Sequence, residues 1–257
     1  MILFYKYKGE TPLQALERLK KDYPQYKNSI LSYAGRLDPM AEGLLLILEG
    51  SENKEREKYL GLDKEYKLEI LFGIETDTYD VLGKVVNVSD AESLSNVSKE
   101  KIQQALKNFV KTFDQEYPPY SSQPVSGKPL FQWAREGKIA EIKIPKQQVT
   151  IYSAELLNLK KTSGRELLNQ IQKDIALVKG DFRQVEILDS WQKALANVEN
   201  KEFLKSELVV TCSSGTYMRS LAQNIGKILG MGGLAYSLTR TKISHFLATD
   251  SLSYPHS

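Results

Sequence analysis

Two short segments concentrate the residues of this sequence that could do chemistry. The first is Ala34-Gly35-Arg36-Leu37-Asp38-Pro39-Met40-Ala41-Glu42-Gly43. Gly35 permits a turn that a side chain would resist, and Pro39 keeps Asp38 out of helical geometry. Asp38 is therefore expected at a defined loop position ahead of the apolar run 44–48. It is either the Asx residue of an ordinary turn or a carboxylate held ready for reaction. The second segment, Cys212-Ser213-Ser214-Gly215-Thr216-Tyr217-Met218-Arg219-Ser220, joins a strand end, a glycine turn and a helix start. Arg219 falls in the first helical turn, where the helix dipole gives a cation no advantage. It is either a surface arginine or one pinned to a carboxylate across a cleft. An aspartate paired with arginine stays ionised and oriented, as a nucleophile or general base must be.

The elements that must position these residues can be read from hydrophobic period. Residues 2–5 form a short apolar strand. A helix follows, capped by Thr11 and opened by Pro12, with Leu13, Leu16 and Leu19 on one face. Residues 66–72 alternate as a half-buried strand does, 76–83 are turn-like, and 84–88 resume strand character. A Ser-rich linker at 90–98 leads to a helix whose stripe is Ile102, Leu106, Phe109, Val110 and Phe113. Prolines and a glycine exclude regular structure from 117–129, and a long ordered loop of that kind is more often functional than connecting. A short helix around 131–135 and a strand at 149–157 come next. Over 160–205 the pattern is helical, with Leu167, Leu168, Ile171, Ile175 and Val178 in register until Gly180. Residues 208–212 form a strand and 216–229 an amphipathic helix. Strands and helices are interspersed without strict alternation, which predicts an α+β fold.

Composition narrows the chemistry. The chain has 257 residues, 41% hydrophobic and 26% charged, so it is globular. One cysteine, Cys212, and two histidines, His245 and His256, make a metal centre or a disulfide framework a poor expectation. The apolar run 44–48 is far short of a membrane span, and lysines interrupt the N-terminus where a signal peptide would stay apolar. A soluble, cytoplasmic protein is expected. The net charge of +3 permits a nucleic-acid partner without demanding one.

Five motifs in order resemble the TruB family of transfer-RNA pseudouridine synthases. Residues 32–43 resemble the family's GHTGxLDPxAxG loop, with Asp38 at the catalytic aspartate and Tyr33 at the histidine. Lys64-Glu65-Tyr66 resembles its K-x-Y motif, whose tyrosine stacks on the target base. Residues 76–83 resemble TDTxDxxG, 117–137 resemble PPxYSAxKxxGxxLYxxAReG, and 212–219 resemble CSxGTYIR. The resemblance puts Arg219 at the arginine that pairs with the aspartate. Lys6-Tyr7 stands where the family has a lysine-proline pair.

This likeness implies a pseudouridine synthase catalytic fold: a mixed, mostly antiparallel sheet flanked by helices, with a helical insertion at about 160–205. It implies isomerisation of uridine to pseudouridine, at uridine 55 in the T-loop of transfer RNA, by Asp38 acting on a flipped-out base. Asp38, Arg219 and Tyr66 are the expected catalytic residues. Tyr33, Lys6, Lys64, Lys128 and Arg240 are the expected RNA contacts, with Lys20 and Lys21 as further phosphate candidates. No cofactor or metal is required for a redox-neutral isomerisation. A monomer binding the T-arm, free of membrane, is the expected state. The chain runs about 27 residues past Gly230, so a single catalytic domain, 1–257, without the family's C-terminal PUA domain is expected. Two alternatives stand beside this: an RluA- or RsuA-like synthase, which shares GRLD, and a non-catalytic transfer-RNA-binding or folding protein. CSSGTYMR and the YPPYSS loop favour TruB over the former.

Overall fold

A computed structural model describes residues 1–90, 97–196 and 198–255. In chain order the strands and α-helices are β1 (Ile2–Lys6), α1 (Pro12–Asp22), β2 (Leu31–Ala34), β3 (Ala41–Glu49), α2 (Arg56–Leu60), β4 (Lys64–Phe72), β5 (Ile74–Thr76) and β6 (Val85–Val88). They continue with α3 (Lys99–Lys107), β7 (Thr112–Glu116), β8 (Pro124–Val125), β9 (Lys128–Pro129), α4 (Leu130–Arg135) and β10 (Lys146–Ser163). The last are α5 (Gly164–Ala176), α6 (Gln184–Leu195), β11 (Glu202–Cys212), α7 (Met218–Ile228), β12 (Gly233–Ile243) and β13 (Phe246–Leu247).

The main sheet runs β1-β3-β12-β4-β11-β10-β7, with β2 added beside β3 and β13 beside β12. Its pairs are antiparallel except β3 with β12. This is the α+β, mostly antiparallel architecture expected from the sequence. The parallel pair sets Arg240 opposite Gly43, so the strand leaving the Asp38 loop runs beside β12. Gly43 has φ +109°, and an added Cβ would overlap the Arg240 backbone, lying 2.7 Å from its amide nitrogen. Only glycine fits that approach.

Helix α1 begins with the expected Thr11 cap, closed into a capping box by Gln14. Its buried face is Pro12, Ala15, Leu16 and Leu19, whereas Leu13 is 62% exposed. The 3.6-residue period puts Ala15 in the stripe in place of Leu13. The stripe read through Phe113 is cut at Lys107, since Phe113 belongs to β7 and pairs with Val149 of β10. Phe109 and Phe113 still meet edge to face across that turn. The Ser-rich linker lies largely outside the described residues, as does His256.

The helical excursion is shorter than 160–205. Lys160 pairs with Lys205 and Ser163 with Glu202, so both ends are arms of a long β10–β11 hairpin. Lys160, Lys161 and Glu202 of these arms are exposed while Phe203 is buried, too short an alternation to read as strand. Helices α5 and α6 occupy the rest. Leu167, Ile171 and Ile175 of α5 and Ile187, Trp191 and Leu195 of α6 join the same buried cluster as Leu68, Phe72 and Val81. The insertion thus shares the core of the sheet. No helix among the described residues is long and apolar enough to cross a membrane.

Substituting Gly43 with alanine forces both a left-handed strain and a backbone overlap, and should cost about 3 kcal/mol in urea unfolding. Gly50 also has positive φ but has open space around it, so Gly50→Ala should cost only about 1 kcal/mol. Equal losses would show that the β3–β12 approach is not what requires Gly43.

Candidate active site

Asp38 sits between two buried anchors, Leu37 and Met40, in the loop joining β2 to β3. Gly35 opens that loop at φ +81°. The amide of Ala41 donates to Asp38 O at 3.0 Å and that of Gly9 to Pro39 O at 2.8 Å. With its backbone held this way, the Asp38 side chain stays 39% exposed. Across from it, Arg219 is one residue into α7 and only 4% exposed. Its Nε donates to Asp38 Oδ2 at 2.7 Å. The other two nitrogens donate to backbone carbonyls, Nη1 to Thr78 at 2.7 Å and Nη2 to Tyr120 at 3.2 Å. A guanidinium so enclosed keeps a single orientation.

A second carboxylate, unmarked in the sequence reading, lies behind the pair. Asp80 is buried, 3.7 Å from Arg219 Nε. Its Oδ1 accepts from Thr78 Oγ1 at 2.7 Å and from the Leu82 amide at 2.9 Å. Burial pushes its pKa up to about 6, against the attraction of Arg219. The turn that carries Asp80 depends on Gly83, where a Cβ would overlap Thr78 Oγ1 and lie 2.9 Å from Asp77 Oδ1. The TDTYDVLG motif was legible; the depth of its last aspartate was not, because nothing local to the motif encodes burial.

Tyr66 is buried on β4, opposite Arg240 of β12 and Val210 of β11. Burial raises its pKa, keeping the phenol neutral. Tyr217, also absent from the sequence reading, stands beside the pair, and burial and the Asp38 charge push its pKa up to about 12. Gln115 clamps its backbone from both sides, and Tyr117 meets its ring edge to face at 5.6 Å. Aromatic faces and one open carboxylate thus share the site.

Three residues expected to touch RNA are instead interior cations. Arg240 is buried, with Nε donating to Leu44 O at 2.7 Å, Nη2 to Gly35 O at 3.2 Å and Nη1 to Arg36 O at 3.4 Å. Lys6 donates to the carbonyls of Tyr7, Pro39 and Ala41. Burial pulls its pKa down to about 7, yet only the ammonium form has three N–H donors for those carbonyls. Lys64 donates to Leu60 and Leu62 carbonyls, and burial lowers its pKa to about 8. Lys6 and Arg240 hold the backbone of the Asp38 loop and its flanks, and Lys64 holds the turn ahead of β4. Tyr33 packs its ring on the cluster beneath α1. Lys128 pairs with Glu136 above the Trp133 ring. Neither is bonded to Asp38 or Arg219. Lys20 and Lys21 lie in the last turn of α1. Arg36, which was not singled out, is exposed beside Asp38.

The family model described as "TruB family pseudouridylate synthase (N terminal domain)" matches residues 25–182, which include Asp38, Tyr66 and Asp80. The chain belongs to the TruB family. Among its relatives, the tRNA pseudouridine synthase B of Aquifex aeolicus (strain VF5) is 32% identical over 252 residues, 98% of this chain and 71% of that one. The protein of the same name from Bordetella avium (strain 197N) is 30% identical, over 96% of this chain and 81% of its own length. The crystal structure of a Cbf5–Nop10–Gar1 complex shares the fold, with a TM-score of 0.55 and 19% identity over 96% of this chain. The TruB-family chain described here spans about half the length of that solved chain. Arg219 and Tyr217 lie beyond the matched segment, so the tertiary fold brings them to it.

Asp80 yields a test. Its ordinary pKa is 3.8, and the folded protein holds the proton up to about 6. The fold therefore binds this proton more tightly than the unfolded chain does. Asp80 favours folding most at low pH, and that contribution fades as pH rises from 3.8 to about 6, then levels. Urea midpoints from pH 4 to 7 should show this decline in the wild type and a flatter profile for Asp80→Asn. Parallel profiles would place the carboxylate in water.

Proposed function

We propose that this protein converts uridine to pseudouridine in transfer RNA, at uridine 55 of the T-loop, with Asp38 as the catalytic carboxylate. One observation carries the reading: Arg219 Nε bonds Asp38 Oδ2 at 2.7 Å with the arginine buried and the carboxylate open. Burying the cation strengthens its hold on Asp38 and fixes where that carboxylate points. The relatives named tRNA pseudouridine synthase B supply the substrate.

The reaction breaks the C1′–N1 bond, turns the uracil and joins C1′ to C5. The C5 proton is lost to solvent and N1 gains one, so atoms and electrons balance without a cofactor. Asp38 acts at the sugar, either by adding to C1′ or by taking the C2′ proton. A duplex or a folded loop hides that sugar, so the nucleotide must leave its stack. Tyr66 and Tyr217 provide the aromatic surface on which it rests. With Lys6, Lys64 and Arg240 turned inward, phosphate contact falls to the exposed Arg36 and the half-buried Lys128. A cytoplasmic enzyme fits a transfer-RNA substrate.

Release of tritium from uridine labelled at C5, in an unmodified T-arm transcript, is the direct test. The wild type should release label stoichiometrically and Asp38→Asn should lose at least about 10³-fold in rate. Binding without release by the wild type would favour a non-catalytic RNA-binding protein, and release only from ribosomal fragments an RluA- or RsuA-like one. Arg219→Lys and Arg219→Ala should depress the rate far more than RNA affinity. Equal losses in rate and affinity, with melting temperature unchanged, would instead assign Arg219 to RNA.

A further inference from the structure

The helical insertion reaches the active site through one side chain. Arg183 immediately precedes α6 with its backbone at φ 63°, ψ 29°. Non-glycine residues stay in that left-handed region only where surrounding contacts hold them. Here the guanidinium lies on Asp77, at 2.7 Å to Oδ2 and 3.3 Å to Oδ1. Its carbon also sits 4.3 Å from the centroid of the Tyr120 ring. Tyr120 Oη donates in turn to Asp77 Oδ2 at 3.2 Å. Three side chains from three distant segments therefore close on one another.

Two of those segments are the ones that hold Arg219. Thr78, next to Asp77, and Tyr120 itself supply the carbonyls that accept from Nη1 and Nη2. The insertion grips the same segments elsewhere. Trp191 Nε1 donates to Val81 O at 3.2 Å, and Ser190 Oγ accepts from the Val85 amide at 3.1 Å. Arg135, beyond Tyr120, donates to Asp181 O at 2.8 Å. A phosphate-binding role for Arg183 fits less well. Its side chain is 16% exposed, both Asp77 oxygens already engage it, and Glu186 lines the same cleft.

We propose that Arg183 is a positioning residue for the isomerisation. By locking Asp77 to Tyr120 it fixes the Thr78 and Tyr120 carbonyls, and through them the aim of Arg219 at Asp38. The proposal rests on the reading of Asp38 and Arg219 given above, and it concerns the chemical step, not the capture of RNA.

The test uses the full chain and two readouts. In single-turnover tritium release, Arg183→Ala and Arg183→Gln should slow the step about 10-fold, with the dissociation constant for the T-arm transcript held within about threefold. Arg183→Lys keeps the charge without the fork and should restore part of the rate. Lys193→Ala, which breaks only an exposed pair with Asp189 on α6, should match the wild type. Independently of turnover, the Arg219 Nε–H cross-peak in a nitrogen-15 spectrum, identified by its loss in Arg219→Lys, should move in Arg183→Ala and Arg183→Gln but not in Lys193→Ala. An unmoved cross-peak overturns the proposal whatever the rate does. So does a wild-type rate in Arg183→Ala, or a loss confined to RNA affinity. If the wild type itself releases no tritium, the isomerisation reading fails, while the cross-peak still decides whether Arg183 positions Arg219.

Discussion

A guanidinium withdrawn from water must find acceptors for its N–H groups inside the protein, and Arg219 finds them on three separate segments. It takes the Asp38 carboxylate from the loop before β3, the Thr78 carbonyl from the turn after β5, and the Tyr120 carbonyl from the long loop after β7. Each acceptor left unmatched would strand part of a buried charge, at a cost of about 1–3 kcal/mol for a carbonyl and more for the carboxylate. The segments are therefore coupled: none can shift without disturbing the others' bond to the same planar group. That coupling makes Asp38 a directed carboxylate rather than a loop residue with a mobile side chain.

Behind the loop, a second set of cations works on backbone rather than on carboxylate. Lys6 and Arg240 donate to carbonyls at both ends of the 35–44 segment. Carbonyl oxygens satisfy the N–H groups of both side chains, so the backbone behind Asp38 is tied to buried donors. A second carboxylate, Asp80, lies 3.7 Å from the same Arg219 nitrogen and is drawn toward its neutral form by burial.

The insertion extends this logic outward. Its helices share the core of the sheet, and the polar residues at their junction meet the two segments that Arg219 holds together. An excursion of that size in a hairpin could have been an independent appendage. The shared apolar cluster and the Asp77–Arg183–Tyr120 contact make it part of the wall of the active site.

Local pattern carried much of this. Gly35, Pro39 and Gly43 define the Asp38 loop in any context, because glycine and proline act through their own backbone angles. The strand at 66–72 and the first helix of the insertion followed from period, while the apolar run at 44–48 carried no period of its own. The identities of Asp38 and Arg219, and the expectation that they meet, were likewise open to inspection. What the sequence could not show was which charges face inward. Lys6, Lys64 and Arg240 look like surface cations in one dimension, and Asp80 looks like any turn aspartate. Their burial follows from the parallel pairing of β3 with β12 and from the docking of α7 across the 76–83 turn. Those contacts join residues nearly 200 positions apart. Desolvation depends on everything packed around a group, so only the tertiary structure could decide which cations hold the loop and which remain for RNA.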